Sequence, residues 1–247
     1  MHLPPDFATT GLAITAGQKP PTRFQVIGER SSGTNLVKRL LGRNTALKPT
    51  EDLGWKHGFF SPMAIPADFA LVCVVRNAAD WALSMHAKPW HTPPAMQALE
   101  FSDFIRAEWA TIIDRPRYFS GIATEAVGQP LQQDRDPENG APYPNLFALR
   151  SAKLRSHLSI TGRHCASVVV RLETVQDDPE KTLEQICSGL GTAVPEGFKP
   201  VQRRLGSRFK AAIETRPKTP AEVDAGDIEF LRSQTDTAFE KALGYSC

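Results

Sequence analysis

Arg23–Leu41, RFQVIGERSSGTNLVKRLL, is the stretch whose reading decides the fold. Phe24 to Ile27 form a short apolar strand, and Gly28 to Gly33 a turn rich in glycine and hydroxyls. The rest is an amphipathic helix with Leu36, Val37, Leu40 and Leu41 on its inner side. A strand that hands the chain to a helix N-terminus gathers free backbone N–H groups and the positive end of the helix dipole at one point. Such a point suits a phosphate or a sulfate.

Gly28 and Gly33 are spaced as in a Walker A loop, Gly-x-x-x-x-Gly. Thr34 and Asn35 follow, however, where a nucleoside triphosphatase requires Lys and then Ser or Thr. An anion cradle is expected here without the lysine that serves β- and γ-phosphates. That combination favours an anionic nucleotide handled without ATP-type phosphoryl chemistry.

Outward from this unit the composition sets limits. A chain of 247 residues can bury the core of one α/β domain. Its net charge of +2 gives no drive toward nucleic acid or a membrane surface, so any positive potential must be local. The four cysteines, Cys73, Cys165, Cys187 and Cys247, show no CxxC or zinc spacing, and Cys73 lies in an apolar run. Reduced, buried thiols of a cytoplasmic protein are expected. The N-terminus lacks a basic region followed by a long apolar one, and no segment nears membrane-spanning length. Residues 1–21, broken by Pro4-Pro5 and Pro20-Pro21, read as a loose lead-in, and 22–247 as the α/β domain.

Further along, Glu51–Phe60 (EDLGWKHGFF) sets a Lys-His pair between aromatics and glycines. Lys56 cannot be buried unpaired. His57 titrates near neutrality and can take a proton from an acceptor hydroxyl, although a hydrogen-bonded surface histidine fits the pattern equally. Ala70–Val75 is uninterruptedly apolar, as a central parallel strand is, and ends at Arg76. Ligands of open α/β sheets sit at the carboxyl ends of strands, which puts Arg76 at the functional edge. Ser84 follows on the helix Ala78–Met85, and the two are candidates for a second phosphate, against a surface salt bridge and an idle serine.

The proline-broken loop His86–Pro94 either lines an acceptor pocket or is a surface loop with Trp90 half-buried. Phe101–Ile113 has helical apolar spacing, and Gly121–Pro144 is a Gly- and Pro-rich loop of the lid or binding type. Asn145–Leu158 is expected helical, with Arg150, Lys153 and Arg155 on a solvated or anion-facing side, the solvated face being the simpler reading. Ser167–Leu172 is a second buried strand, followed by a helix over Glu180–Leu190. Cations cluster around Gly206, where Arg203, Arg204, Arg208 and Lys210 either close over a nucleotide or form a basic surface loop. Thr219 is expected to cap a last helix, with Pro220 in its first turn and Gly244 at its stop.

On these residues the sequence resembles the sulfotransferases that use 3′-phosphoadenosine 5′-phosphosulfate (PAPS). Arg30–Asn35, with its Ser-Gly-Thr core, is similar to the family's 5′-phosphosulfate loop. Val75-Arg76-Asn77 with Ser84 resembles its 3′-phosphate motif. Val170–Glu173 through Asp178–Leu183 to Leu190-Gly191 resembles its late strand–helix unit, and Leu243-Gly244-Tyr245 a common ending. The resemblance implies an α/β three-layer sandwich with a central, mainly parallel sheet and a P-loop-like strand–loop–helix. It also implies PAPS as cofactor, PAP as product, no metal, and in-line transfer to a hydroxyl or amine of a small-molecule, glycan or lipid acceptor. Arg30, Ser31, Ser32, Gly33, Thr34 and Asn35 would hold the 5′ end of the nucleotide, and Arg76 and Ser84 the 3′-phosphate. Arg203 and Arg204 lie in a segment loosely similar to the family's closing Arg-Lys-Gly motif. His57 would be the base and Arg30 or Lys56 the catalytic cation, with Glu29 and Glu51 as reserve bases.

The chain departs from the pattern at Ser31, where the family's loop lysine is expected, and at Leu172, where an aromatic commonly meets adenine. Two rivals remain. A P-loop kinase or nucleotide hydrolase with a degenerate Walker A loop wants a magnesium carboxylate at a strand end, where Arg76 or Leu172-Glu173 stands. A non-catalytic nucleotide-binding module would account for the altered loop lysine.

Overall fold

The computed structural model describes residues 3–119, 121–202 and 208–246. In chain order the elements begin with α1 (Phe7–Thr10), β1 (Leu12–Thr15), β2 (Arg23–Ile27), α2 (Thr34–Asn44), β3 (Lys48–Pro49) and β4 (Phe69–Val75). Next come α3 (Ala78–Ala87), α4 (Pro94–Gln97), α5 (Phe101–Arg106) and α6 (Leu146–Leu158). The chain closes with β5 (Ala166–Arg171), α7 (Leu172–Asp177), α8 (Pro179–Gly189), α9 (Ala225–Gln234) and α10 (Thr237–Ala242). These residues divide into two compact units, 3–76 with 153–202 and 238–246, and 77–152 with 208–237.

The first unit is built on a five-stranded sheet of order β1-β5-β4-β2-β3. All neighbours are parallel except β1, which runs antiparallel to β5. Every residue of β4 is buried, because a central strand offers neither face to water. Registers from Arg23↔Phe69 to Ile27↔Cys73 and from Ala70↔Ala166 to Val75↔Arg171 bring the carboxyl ends of β2, β4 and β5 to one edge.

Strand alternation sorts the core into two clusters. On one face Phe24, Val26, Val72, Val74, Val168 and Val170 pack with Val37, Leu40 and Leu41 of α2 and with Leu183 and Ile186 of α8. On the other, Ile27, Leu71, Cys73, Val75 and Val169 pack with Phe7, Leu154, Leu158, Leu243 and Tyr245. Each such side chain contributes roughly 1.5–3 kcal/mol by leaving water. An α/β sheet covered on both faces is compatible with a three-layer sandwich.

The segment before Pro21 differs from the loose lead-in expected. Gly11, left-handed at φ 66°, ends α1 and turns the chain into β1, whose Leu12 and Ile14 pack on the core. Arg171 at the end of β5 then donates to the carbonyls of Ala8, Thr9 and Gly244, tying both ends of the chain to the sheet. Four residues of alternation were too few to announce an edge strand.

The second unit has its own core of Trp81, Met85, Phe101, Phe104, Trp109, Phe147 and Leu231. Asn77 caps α3, its Oδ1 accepting from the Ala79 and Asp80 N–H groups. Three expectations are corrected here. Helix α5 stops at Arg106 and does not reach Ile113; Trp109 and Ile113 are buried from irregular backbone, with their N–H groups donating to Tyr143 and Gln129. Asp224, not Thr219, caps the late helix α9, while the Thr219 hydroxyl lies 2.7 Å from His86 Nδ1. Arg150 is buried with its guanidinium 5.2 Å from the Trp81 ring, not solvated.

Candidate functional site

The turn between β2 and α2 is held by backbone shape. Gly28 (φ 149°) and Gly33 (φ 95°) adopt conformations that disfavour a side chain. A Cβ on Gly28 would meet the Val74 carbonyl oxygen at 2.6 Å, and one on Gly33 would meet Leu172 Cδ1 at 2.4 Å. Ser31, at φ 63°, is in the left-handed region without being glycine, a cost of about 1 kcal/mol or more that clusters at ligand sites. Inside the turn the Ser32 N–H and hydroxyl both donate to the Glu29 carbonyl, the hydroxyl at 2.7 Å. Among the described residues, the N–H groups of Ser31, Gly33, Thr34 and Asn35 donate to no protein acceptor. Four such donors at the start of an eleven-residue helix are a local source of positive potential.

One guanidinium lies against this turn, and a second is buried toward Trp55 and His57. Arg76, just beyond β4, donates to the Ser31 carbonyl at 3.0 Å, so its charge lies against the loop from the neighbouring strand tip. Arg30 is only 6% exposed and lies 5.9 Å from the Trp55 ring.

The segment 53–60 is pinned from both sides. Gln25, a buried polar residue on β2, accepts from the Leu53 N–H and donates to the Gly54 carbonyl. The Gly28 N–H donates to the Lys56 carbonyl at 3.0 Å, and His57 Nδ1–H donates back to the Gly28 carbonyl at 2.6 Å. From α6, Lys153 Nζ donates to the His57 carbonyl at 2.6 Å and His157 Nε2 to the Gly58 carbonyl at 2.8 Å, while Ser156 Oγ accepts from the Phe60 N–H. His57 is thereby fixed in position and in tautomer: Nδ1 carries the proton and Nε2 keeps its lone pair.

Burial above all, then the charges of Lys56 and Arg30 and the neighbouring His157, hold the His57 pKa well below its ordinary value against the pull of the Gly28 carbonyl. At neutral pH the imidazole is therefore unprotonated. Burial also lowers the Lys56 pKa, and its Nζ donates to Asn35 Oδ1 at 2.6 Å, tying the 53–60 segment to the first turn of α2.

Of the expected site residues, Arg30, Ser31, Ser32, Gly33, Thr34, Asn35, Lys56, His57 and Arg76 belong to the first unit and surround or adjoin the one turn. The Ser32 hydroxyl is a brace within the loop, and the Thr34 side chain is buried. Ser84 is half-buried on α3, in the second unit. Arg203 and Arg204 lie outside the described residues. Glu51 is paired with Lys38 at 2.8 Å and Glu29 is buried.

Lys153 was missed. It is 3% exposed, not solvated, and its Nζ sits 4.8 Å from the Phe59 ring and 5.6 Å from Trp55. The available signal was the spacing of Lys153 and His157, four apart and flanked by the core residues Leu154 and Leu158 on the same helix face.

His157 is fully buried, and its Nδ1 makes no hydrogen bond among the described residues. Burial, helped by the charge of Lys153, depresses its pKa to about 3. The unfolded chain binds a proton near pH 6.5 that the folded protein refuses. Stability is therefore complete above that pH and falls as the pH drops toward 3, by up to about 1.4 kcal/mol per unit. Urea melts of the wild type and His157→Gln between pH 7 and 4.5 should show a slope shallower by nearly one proton in the variant. Parallel slopes would contradict this.

Among the described residues no group of three or more His, Cys, Asp or Glu could hold a metal ion, and no helix is long and apolar enough to cross a membrane. Comparison with protein-family models, with curated proteins and with solved structures found no match to this chain.

Proposed function

We propose that the first unit binds PAPS and transfers its sulfuryl group to a hydroxyl or amine. One observation carries the reading: four unpaired loop amides and the Arg76 guanidinium meet at the same turn whose first carbonyl, Gly28, holds His57 in its Nδ1–H tautomer. The donor set fits a nucleotide bearing phosphosulfate, since it is rich in N–H donors and needs no carboxylate. PAPS would supply an activated sulfuryl group whose charge lies on peripheral oxygens, as in phosphoryl transfer, so positioned cations and amides do most of the work.

The chain's own contribution divides into three parts. The amides of Ser31, Gly33, Thr34 and Asn35 hold the anion. Arg30 and Lys56 supply the positive charge that the missing loop lysine would have brought, with Lys56 oriented by Asn35. His57 Nε2 accepts the acceptor's proton, and the imidazolium formed is stabilised by donating Nδ1–H to the Gly28 carbonyl. Arg76, at the neighbouring strand tip, offers a second anionic anchor.

The first test is a thermal shift with PAP and with ATP, followed by transfer of labelled sulfate from PAPS to a mixture of sugar, phenol and amine acceptors. PAP should raise the melting temperature by several degrees at saturating ligand, and ATP by much less. Equal shifts with ATP and magnesium would favour phosphoryl chemistry. A PAP shift with no transfer to any acceptor would favour a binding module.

A further inference from the structure

The second unit contains a basic pocket that the proposed chemistry does not use. It is a shallow, solvent-open concavity of about 430 Å³, lined among the described residues by Arg115, Pro116, Arg117 and Lys210. That volume is within the range of small-molecule sites. Among the described residues, three of the four that line it are cations.

Arg115 is immobilised. Its Nε forms an ion pair with Asp114 Oδ2 at 3.2 Å and its Nη2 donates to the Lys210 carbonyl at 2.5 Å, while its guanidinium lies 5.3 Å from the Trp90 ring and 5.9 Å from Phe209. Its side chain is 19% exposed, and among the described residues Nη1 has no acceptor. A guanidinium held in place from behind loses little conformational freedom when it meets an oxyanion.

The local charge is not balanced. Asp114 is the one carboxylate paired with the lining cations among the described residues, and it is shared: Oδ2 with Arg115 and Oδ1 with His91 Nδ1 at 2.6 Å. Arg117 meets the Tyr118 ring and hydroxyl rather than an acid, and Lys210 Nζ has no ion pair among the described residues. The edge-to-face set Trp90, Tyr118 and Phe209 stiffens the wall on which Arg115 rests.

We propose that this pocket binds a small organic oxyanion, a phosphate, sulfate or carboxylate on a compact body, independently of the nucleotide loop. Arg115 Nη1 makes the directional contact, Arg117 and Lys210 supply the remaining charge, and the Pro116 ring and the lysine stem cover the apolar part. The site does not depend on the sulfotransferase reading.

The experiment is an NMR titration of the full chain with phenyl phosphate, phenyl sulfate, benzoate and neutral benzyl alcohol, following the Trp90 indole N–H. It is repeated in Arg117→Gln/Lys210→Gln, whose side chains reach solvent and need not affect folding. The anions should shift Trp90 saturably and more weakly as salt rises, and the double variant should bind about tenfold less tightly with PAP affinity unchanged. The order of affinity among the three anions identifies the preferred head group. Benzyl alcohol binding as well as the anions, unchanged affinity in the double variant, or full competition by PAP would each overturn the proposal. Failure of PAP to bind at all would sink the nucleotide reading while leaving this one standing.

Discussion

Replacing His57 with alanine is expected to lower sulfuryl transfer by a factor of about 10² to 10⁴ while leaving PAP binding within a few-fold of wild type. General-base removal costs that much because the acceptor must lose its proton to water instead. The nucleotide contacts, by contrast, come from loop amides and arginines that the histidine does not supply. The pH profile provides the sharper test. Because burial and the nearby cations depress the His57 pKa, transfer by the wild type should stay flat through pH 6.5, where an ordinary histidine base would already be half lost. Its acid limb should appear only well below that value. In His57→Ala the limb should vanish along with the rate. An alanine variant with normal turnover, or a wild-type limb centred near 6.5, would remove His57 from this role.

The second large effect is expected at Gly28. Alanine there would hold φ near 149° with its Cβ 2.6 Å from the Val74 carbonyl oxygen, a backbone atom of β4 that cannot swing aside. The collision separates the tips of the two central strands or displaces the loop, at a cost of about 2–4 kcal/mol. It should also disturb the Gly28 carbonyl that fixes His57 and the carbonyl of Ser31 that meets Arg76. Two measurements check this: a lower urea midpoint, and loss of the PAP thermal shift even at temperatures where the variant is folded. Gly54→Ala, at a positive φ with no atom within 4 Å of its would-be Cβ, is the control. It should cost about 1 kcal/mol and spare the PAP response. A Gly28→Ala protein as stable and responsive as that control would show that the close approach is unimportant.

The core strands were legible because their signal is local and redundant. FALVCVV admits few readings other than a strand buried on both faces, and its neighbours needed only to supply matching apolar runs. Helix ends were less legible where one residue type serves two purposes. Thr219 before Pro220 has the form of an N-cap, yet its hydroxyl is engaged by His86, 133 residues earlier in the chain, and Asp224 takes the cap instead. The same ambiguity extended α5 to Ile113: Trp109 and Ile113 are as apolar as core helix positions because they are core, reached by irregular backbone.

At the candidate site, composition and order alone singled out the residues proposed to bind an anion: a glycine-bounded turn at a helix start, an arginine ending the central strand, and a Lys-His pair between glycines. These depend on backbone conformation and on side-chain chemistry near in sequence, which any chain carries with it before it folds. Tertiary structure decided what each group is free to do. Burial next to two cations makes His57 neutral, the Gly28 carbonyl chooses its tautomer, and α6 brings Lys153 against its backbone from 96 residues away. Protonation state and hydrogen-bond partner are properties of a surrounding, and a surrounding assembled from distant parts of the chain exists only once the chain is packed.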